Sequence, residues 1–136
     1  MILFIHTADV KYIIVGLIRD ENFIAKKRIS SRYKQSEKLL ASIDTLLKEQ
    51  RIHLKSIKGI VVVNGPGPFT ALRIGVVLAN TFSFALKIPL ASVSVQEYED
   101  EKKFFTKIST QLQKKLFKPI EPRYGQDPNI SKPKKK

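Results

Sequence analysis

Apolar positions repeat with two different periods along the first ninety residues. Three runs rich in β-branched residues open the chain, at 2–7, 11–18 and 23–29. Short turn-compatible links, Ala8-Asp9-Val10 and Asp20-Glu21-Asn22, join them and predict an antiparallel meander. The second run alternates less cleanly than a half-exposed strand, so both of its faces are expected to be covered. At 35–50 the period becomes helical. Leu39, Leu40, Ile43, Leu46 and Leu47 share one face, with Lys38, Ser42, Asp44 and Lys48 largely opposite. Residues 60–63, Ile-Val-Val-Val, form a continuous apolar run typical of a central strand. A Gly/Pro turn, Asn64-Gly65-Pro66-Gly67-Pro68, leads into a second helix at 69–86, and Pro68 suits the first turn of that helix. Lys87-Ile88-Pro89 ends it, and 90–93 reads as a last strand.

This order predicts an α/β fold: a mixed five-stranded sheet with packed helices. The strands at 60–63 and 90–93 run parallel because a helix crosses between them. Beyond Val93 an acidic stretch, Glu97 to Glu101, precedes apolar residues at helical spacing: Tyr98, Phe105, Ile108, Leu112 and Leu116. They predict one amphipathic helix of about six turns, ended by Pro119 and Pro122. Three parts follow: a lobe at 1–94, a helix at 95–118 and an extended basic tail at 119–136.

Charge sharpens that division. Of the net +13, the first 101 residues supply +4 and the last 35 supply +9. Such a tail attracts polyanions, and Arg123, Lys132, Lys134, Lys135 and Lys136 are its candidate RNA contacts. A merely solubilising tail explains the same charge. No ribonucleoprotein motif or interleaved aromatic platform is visible along the chain. Cysteine is absent, which excludes a disulfide framework, thiolate metal ligation and a cysteine nucleophile. His6 and His53 are isolated from other ligand-type residues, so no metal or cofactor is expected. The apolar N-terminus lacks a leading basic region and reads as a buried strand, and no run approaches a membrane span. A cytoplasmic chain is expected.

Two features of 64–90 carry chemistry. Gly65-Pro66-Gly67, between a strand and a helix start, could cradle a phosphate on backbone N–H groups, although many tight strand-to-helix turns need glycine for conformation alone. Ala71, Gly75, Ala79 and Ser83 form a small-residue stripe. It admits either a partner helix or the helix's own sheet at close range.

The segment as a whole resembles the signature of the TsaB family, Gly-Pro-Gly-Ser-Phe-Thr-Gly-Leu-Arg-Ile-Gly. Gly65, Pro66, Gly67, Phe69, Thr70, Leu72, Arg73, Ile74 and Gly75 match it, while Pro68 and Ala71 depart. Ser36-Glu37, Ile43-Asp44 with Leu46-Leu47, Ile88-Pro89-Leu90 and Ile120-Glu121-Pro122-Arg123-Tyr124 extend the similarity. The resemblance implies one lobe of the actin-like, Hsp70-like and sugar-kinase superfamily, with the second lobe missing. It further implies a non-catalytic subunit that pairs with a TsaD paralogue in attaching threonylcarbamoyl to an adenosine of tRNA. TsaE and tRNA are further candidate partners, and a homodimer through the same helices is an alternative. The implied interface is a helix bundle using Leu40, Ile43, Leu47, Ala71, Ile74, Gly75, Leu78, Ala79 and Phe82. At the end of the first strand, where ATP-hydrolysing relatives carry a carboxylate and TsaB proteins usually show Ile-Asp-Thr-Ser, this chain has His6. An imidazole cannot replace an oxygen-rich Mg²⁺ site, which argues against catalysis. The alternatives are a small ATP-dependent phosphotransferase or hydrolase using the Gly65–Gly67 loop, and a stand-alone basic RNA-binding module. The third helix is expected to cover apolar surface that the missing lobe leaves bare.

Overall fold

A computed structural model of the chain describes residues 1–114 and 119–124. Strands β1 (Ile2–His6), β2 (Tyr12–Arg19) and β3 (Asn22–Ser30) form the expected meander. Helix α1 (Gln35–Glu49) crosses to β4 (Gly59–Val63), and α2 (Phe69–Leu86) crosses to β5 (Leu90–Val93). The sheet order is β3-β2-β1-β4-β5, with β1, β4 and β5 parallel and β2 and β3 antiparallel. The chain is α/β, as the sequence predicts.

Alternation along β1 sorts the two faces of the sheet. Leu3, Ile5 and Thr7 point toward α1 and α2, and the Thr7 side chain lies directly beneath Gly75. Phe4 and His6 point the other way, into rings supplied by Phe23, Tyr98 and Phe104. Both layers are dry: Leu3, Phe4, Ile5 and all apolar residues of β4 are fully buried. Strand β2 is covered on both faces through most of its length, which explains its broken alternation.

Beyond β5 the structure departs from the expected single helix. Two helices form, α3 (Val95–Glu99) and α4 (Glu101–Gln113). Ser94 and Glu97 make a reciprocal capping box at the start of α3, a strong local start signal. Asp100 then adopts an extended backbone and accepts a hydrogen bond from the Lys103 amide through its carboxylate, so it both ends α3 and starts α4. Lys107 ties the two helices together by pairing with Glu97. Phe104, Phe105 and Ile108 are buried on the sheet, whereas Leu116 lies outside the described residues. At the edge of the sheet the Gln111 amide donates to the Ser92 carbonyl and accepts from the Ser92 N–H, at 2.8 and 3.0 Å. One side chain thus replaces a missing neighbour strand, which protects an edge that would otherwise invite pairing.

Helix α1 is rotated from its expected setting. Ser42 is buried and Leu40 is half exposed, the reverse of the sequence reading. A small hydroxyl fits where the helix lies close to the sheet, and the displaced leucine faces outward.

Candidate functional site

Helix α2 begins after Pro68, whose extended backbone caps it from outside the first turn. Its inward arc combines the small-residue stripe with the buried Leu72 and Val76. Ala71, Gly75, Ala79 and Ser83 are all buried on the chain's own core. A Cβ at Gly75 would overlap the Thr7 hydroxyl and come within 2.9 Å of the Thr7 Cγ2. These positions therefore cannot meet a partner helix, and neither can Ile43 and Leu47, which are buried under α1. The expected interface is corrected on this point: close approach between α2 and the sheet consumes the stripe.

The opposite arc of α2 is open. Phe69, Val77 and Phe84 are 58%, 54% and 86% exposed, values at which a core residue would be misplaced. Ile74, Leu78 and Phe82 are half buried along its flank. Between α1 and α2 runs an open groove of about 440 Å³, lined by Ser36 and Leu40 on one side and by Phe69, Arg73, Ile74, Val77 and Leu78 among others on the opposite side. The structure thus brings Leu40, Ile74 and Leu78 together with the family-signature residues Phe69, Thr70 and Arg73. It adds Val77 and Thr81 to the groove, and Phe84 beside a separate cavity lined by Asn80 and Pro119, all of which sequence reasoning missed. The signal was available: if small residues every fourth position mark the sheet side, the arc opposite them must face outward.

The Gly/Pro turn is occupied by the chain itself. Arg123 donates its N–H to the Asn64 carbonyl at 2.6 Å, and the Asn64 side chain donates to the Glu121 carbonyl at 3.2 Å. Asn80 of α2 grips Ile120 with both ends of its amide, each bond 2.8 Å long. Tyr124 stacks on Phe69 with ring centroids 4.5 Å apart. Gly65 has φ +130°, and a Cβ there would overlap the Arg123 carbonyl. A Cβ at Gly67 would lie 2.6 to 2.9 Å from Ala8. The glycines of this turn thus admit close approach of the chain's own backbone. Arg123 is exposed beside this clasp, while Lys132, Lys134, Lys135 and Lys136 lie outside the described residues.

His6 at the end of β1 is buried, and its Nδ1 accepts the Ala8 amide hydrogen at 3.1 Å. Phe4 and Tyr98 meet it edge-on. Burial lowers its pKa to about 4, with Asp9 opposing the shift and Lys26 adding to it. A neutral imidazole enclosed by rings is a packing element with one fixed hydrogen bond. Among the described residues no group of three or more His, Asp or Glu side chains converges as a metal site. At 18 residues, α2 is long and apolar enough to suit a membrane span, which the sequence reading did not anticipate, but its small-residue face is packed on the sheet.

These features match known proteins. The family model of TsaD, tRNA N6-adenosine threonylcarbamoyltransferase, matches residues 27–99, more than half of the chain. The chain belongs to that family, as a TsaB/YeaZ-like member. A Bacillus subtilis relative, tRNA threonylcarbamoyladenosine biosynthesis protein TsaB, is 32% identical over 61% of this chain and 36% of its own length. A tRNA N6-adenosine threonylcarbamoyltransferase of Syntrophotalea carbinolica is 36% identical over 47% of this chain and 19% of its own. A crystal structure from Pseudomonas aeruginosa, described as similar to peptidase YEAZ, superposes with a TM-score of 0.63 at 26% identity. It covers 68% of this chain and 42% of that one. The TsaB-like chain spans about a third or less of the curated relatives it matches. The matched segment contains α1, the Gly/Pro turn and α2, which are the elements that build the groove and the clasp.

Proposed function

We propose that this TsaB-like chain is a non-catalytic scaffold subunit. On this reading it pairs with a TsaD-type partner and supports transfer of threonylcarbamoyl to the adenosine next to the tRNA anticodon. The observation that carries the reading is the outward face of α1 and α2. Phe69 and Val77 line a preformed apolar groove while remaining more than half exposed, and Phe84 extends the apolar strip toward the end of α2. Monomeric surfaces rarely gather large apolar side chains in one strip, and such strips mark association sites. Arg73 adds one cation at the groove, suited to a carboxylate on the partner helix.

The chemistry of the other candidate region supports the same reading. His6 stands where a metal-directed carboxylate would be needed, and the Gly65–Gly67 turn is filled by the 120–124 segment. Neither feature favours the phosphotransferase alternative. The test is co-purification with TsaD from the same organism, comparing the native chain with Leu40→Asp and Val77→Asp variants. A one-to-one complex lost in both variants, with unchanged thermal unfolding, supports the proposal. No complex at micromolar concentration overturns it. Gly75→Trp is unsuitable as a probe, because that position faces the sheet.

A further inference from the structure

On the far side of the sheet from the groove, cations and aromatic rings alternate along β3. Residues paired across β1, β2 and β3 share a face, so His6, Ile14 and Arg28 lie together, as do Phe4, Gly16 and Lys26. Lys26 sits over the Phe23 ring at 4.5 Å and near Tyr98 at 5.3 Å. Arg28 lies over Tyr12 at 4.4 Å, and Arg32 lies 5.5 Å from the Tyr33 ring centre. All of these cations are exposed. The rings come from β3 itself (Phe23), β2, α3 and the β3–α1 loop, so most of the interleaving exists in space and not along the chain.

The end of this row breaks three local rules at once. Tyr33 is 75% exposed, although nothing in the fold needs a large aromatic there. Tyr33 and Lys34 both hold left-handed backbones, at φ 55° and 48°, a conformation disfavoured for bulky residues. Lys34 also occupies the N-cap of α1 without a side-chain cap, where the helix dipole repels a cation. The loop is nonetheless held firmly. Ser31 donates its N–H and its hydroxyl to the carbonyls of Lys11 and Val10, and the Lys38 ammonium donates to the carbonyls of Ser30 and Arg32. Local violations maintained by surrounding structure are characteristic of functional positions. Acids flank the row: Glu99 and Glu101 line one pocket with Lys26, Glu37 lies in the first turn of α1, and Asp9 accepts from the Lys11 and Tyr12 amides. Among the described residues Arg28, Arg32 and Lys34 make no ion pair.

We propose that Arg28, Arg32, Tyr33 and Lys34 form a binding surface for a single-stranded nucleic-acid segment. Exposed bases would stack on Tyr33 and on the guanidinium planes of Arg28 and Arg32, while the cations track the phosphates. Stacking is tolerant of sequence and requires unpaired bases. Lys26 and Arg28 face away from α1 and α2, and Tyr33 and Lys34 lead into α1, whose Ser36 lines the groove. None of the proposed contact residues lines the groove itself, so the proposal does not depend on the scaffold reading.

The test is fluorescence anisotropy of the full chain with three labelled probes of about 12 nucleotides, within the range of a single-strand site. They are single-stranded RNA, single-stranded DNA of the same sequence, and duplex RNA. The expected result is tighter binding of the single strands than of the duplex, with the RNA-to-DNA ratio identifying the source. Tyr33→Ala weakens single-strand binding about tenfold, equivalent to about 1.4 kcal/mol of stacking, without changing the salt slope. Arg28→Gln with Arg32→Gln lowers that slope by about 1.4. Replacing Lys134, Lys135 and Lys136 by Gln weakens all three probes alike if the tail contributes. Binding that survives Tyr33→Ala and the double arginine variant but vanishes in the tail variant would overturn the proposal. So would duplex binding as tight as single-strand binding, or displacement by polyglutamate as readily as by RNA.

Discussion

Both faces of α2 carry large apolar residues, unlike the usual helix on a sheet. Inside, Leu72 and Val76 sit with the small Ala71, Gly75, Ala79 and Ser83, and outside lie Phe69, Val77 and Phe84. An ordinary surface helix buries its large apolar residues and exposes small or polar ones. Here four small residues let the inner face come close to the sheet, and of the outer residues Phe69 is stacked on Tyr124 while Val77 and Phe84 remain more than half exposed. The difference separates what folds the lobe from what the lobe offers to others. Packing sets the inner residues, whereas nothing in this chain's own core requires the outer ones.

The comparison breaks if the inner face tolerates bulk. Gly75→Leu is expected to destabilise the chain by about 4 kcal/mol or to prevent folding, because overpacked cores with no room to relax lie at the severe end of point mutations. Urea unfolding of soluble protein measures it, and full solubility with an unchanged midpoint would contradict the placement of Gly75 on Thr7. A smaller pair sharpens the point. Gly75→Ala combined with Thr7→Ala should cost less than the sum of the single changes, since the hydroxyl that would be overlapped is gone.

Across the sheet, the packed layer around His6 should respond to pH where the open face of α2 does not. The folded imidazole has a pKa near 4, against 6.5 for an ordinary histidine, mainly because burial disfavours its charged form. The unfolded chain therefore binds the proton first as pH falls. Stability contributed by the neutral ring is complete above pH 6.5 and is lost progressively down to pH 4. The loss approaches about 3 kcal/mol across that window. His6→Gln keeps an acceptor for the Ala8 amide but removes the titration. Its unfolding free energy should stay flat over the same range, apart from the carboxylates common to both proteins. Parallel pH profiles for the two would contradict the reading of a buried neutral imidazole.

Most of the fold was legible because periodicity and turn chemistry are local. The meander, both crossovers and the parallel pairing of β4 with β5 all follow from runs and links visible in order along the chain. The helix break at Asp100 was legible in principle. Ser94-x-x-Glu97 is a capping box, and Asp100 three residues before Lys103 is a second cap, but a continuous apolar spacing from Tyr98 to Leu112 masked both. The clasp on the Gly/Pro turn was not legible. Asn80 and Ile120 are 40 residues apart and Asn64 and Glu121 are 57 apart, and one asparagine looks like another until the chain returns to it. The aromatic row on β3 was hidden for the same reason, because all its rings but Phe23 belong to other segments. The groove lay between these cases: its residues were named, but mixed with the inner-face residues they oppose.

The smallest expected effect on stability belongs to the outer face, and it tests the contrast most directly. Phe84 is largely exposed and Val77 more than half exposed, so Val77→Ser with Phe84→Ser removes apolar area most of which the folded chain does not bury. The change in unfolding free energy should stay within about 0.5 kcal/mol, and solubility should rise as an exposed apolar strip is reduced. The same double variant should bind TsaD at least tenfold more weakly than the native chain, because the lost side chains would be buried only in the complex. A loss of several kcal/mol in stability would mean that the outer arc is packed against something in the free chain. Unchanged stability with undiminished binding would move the contact away from α2, leaving the outer arc as exposed apolar surface without a partner. Unchanged stability with lost binding is the outcome that distinguishes a surface made for association from one made for folding.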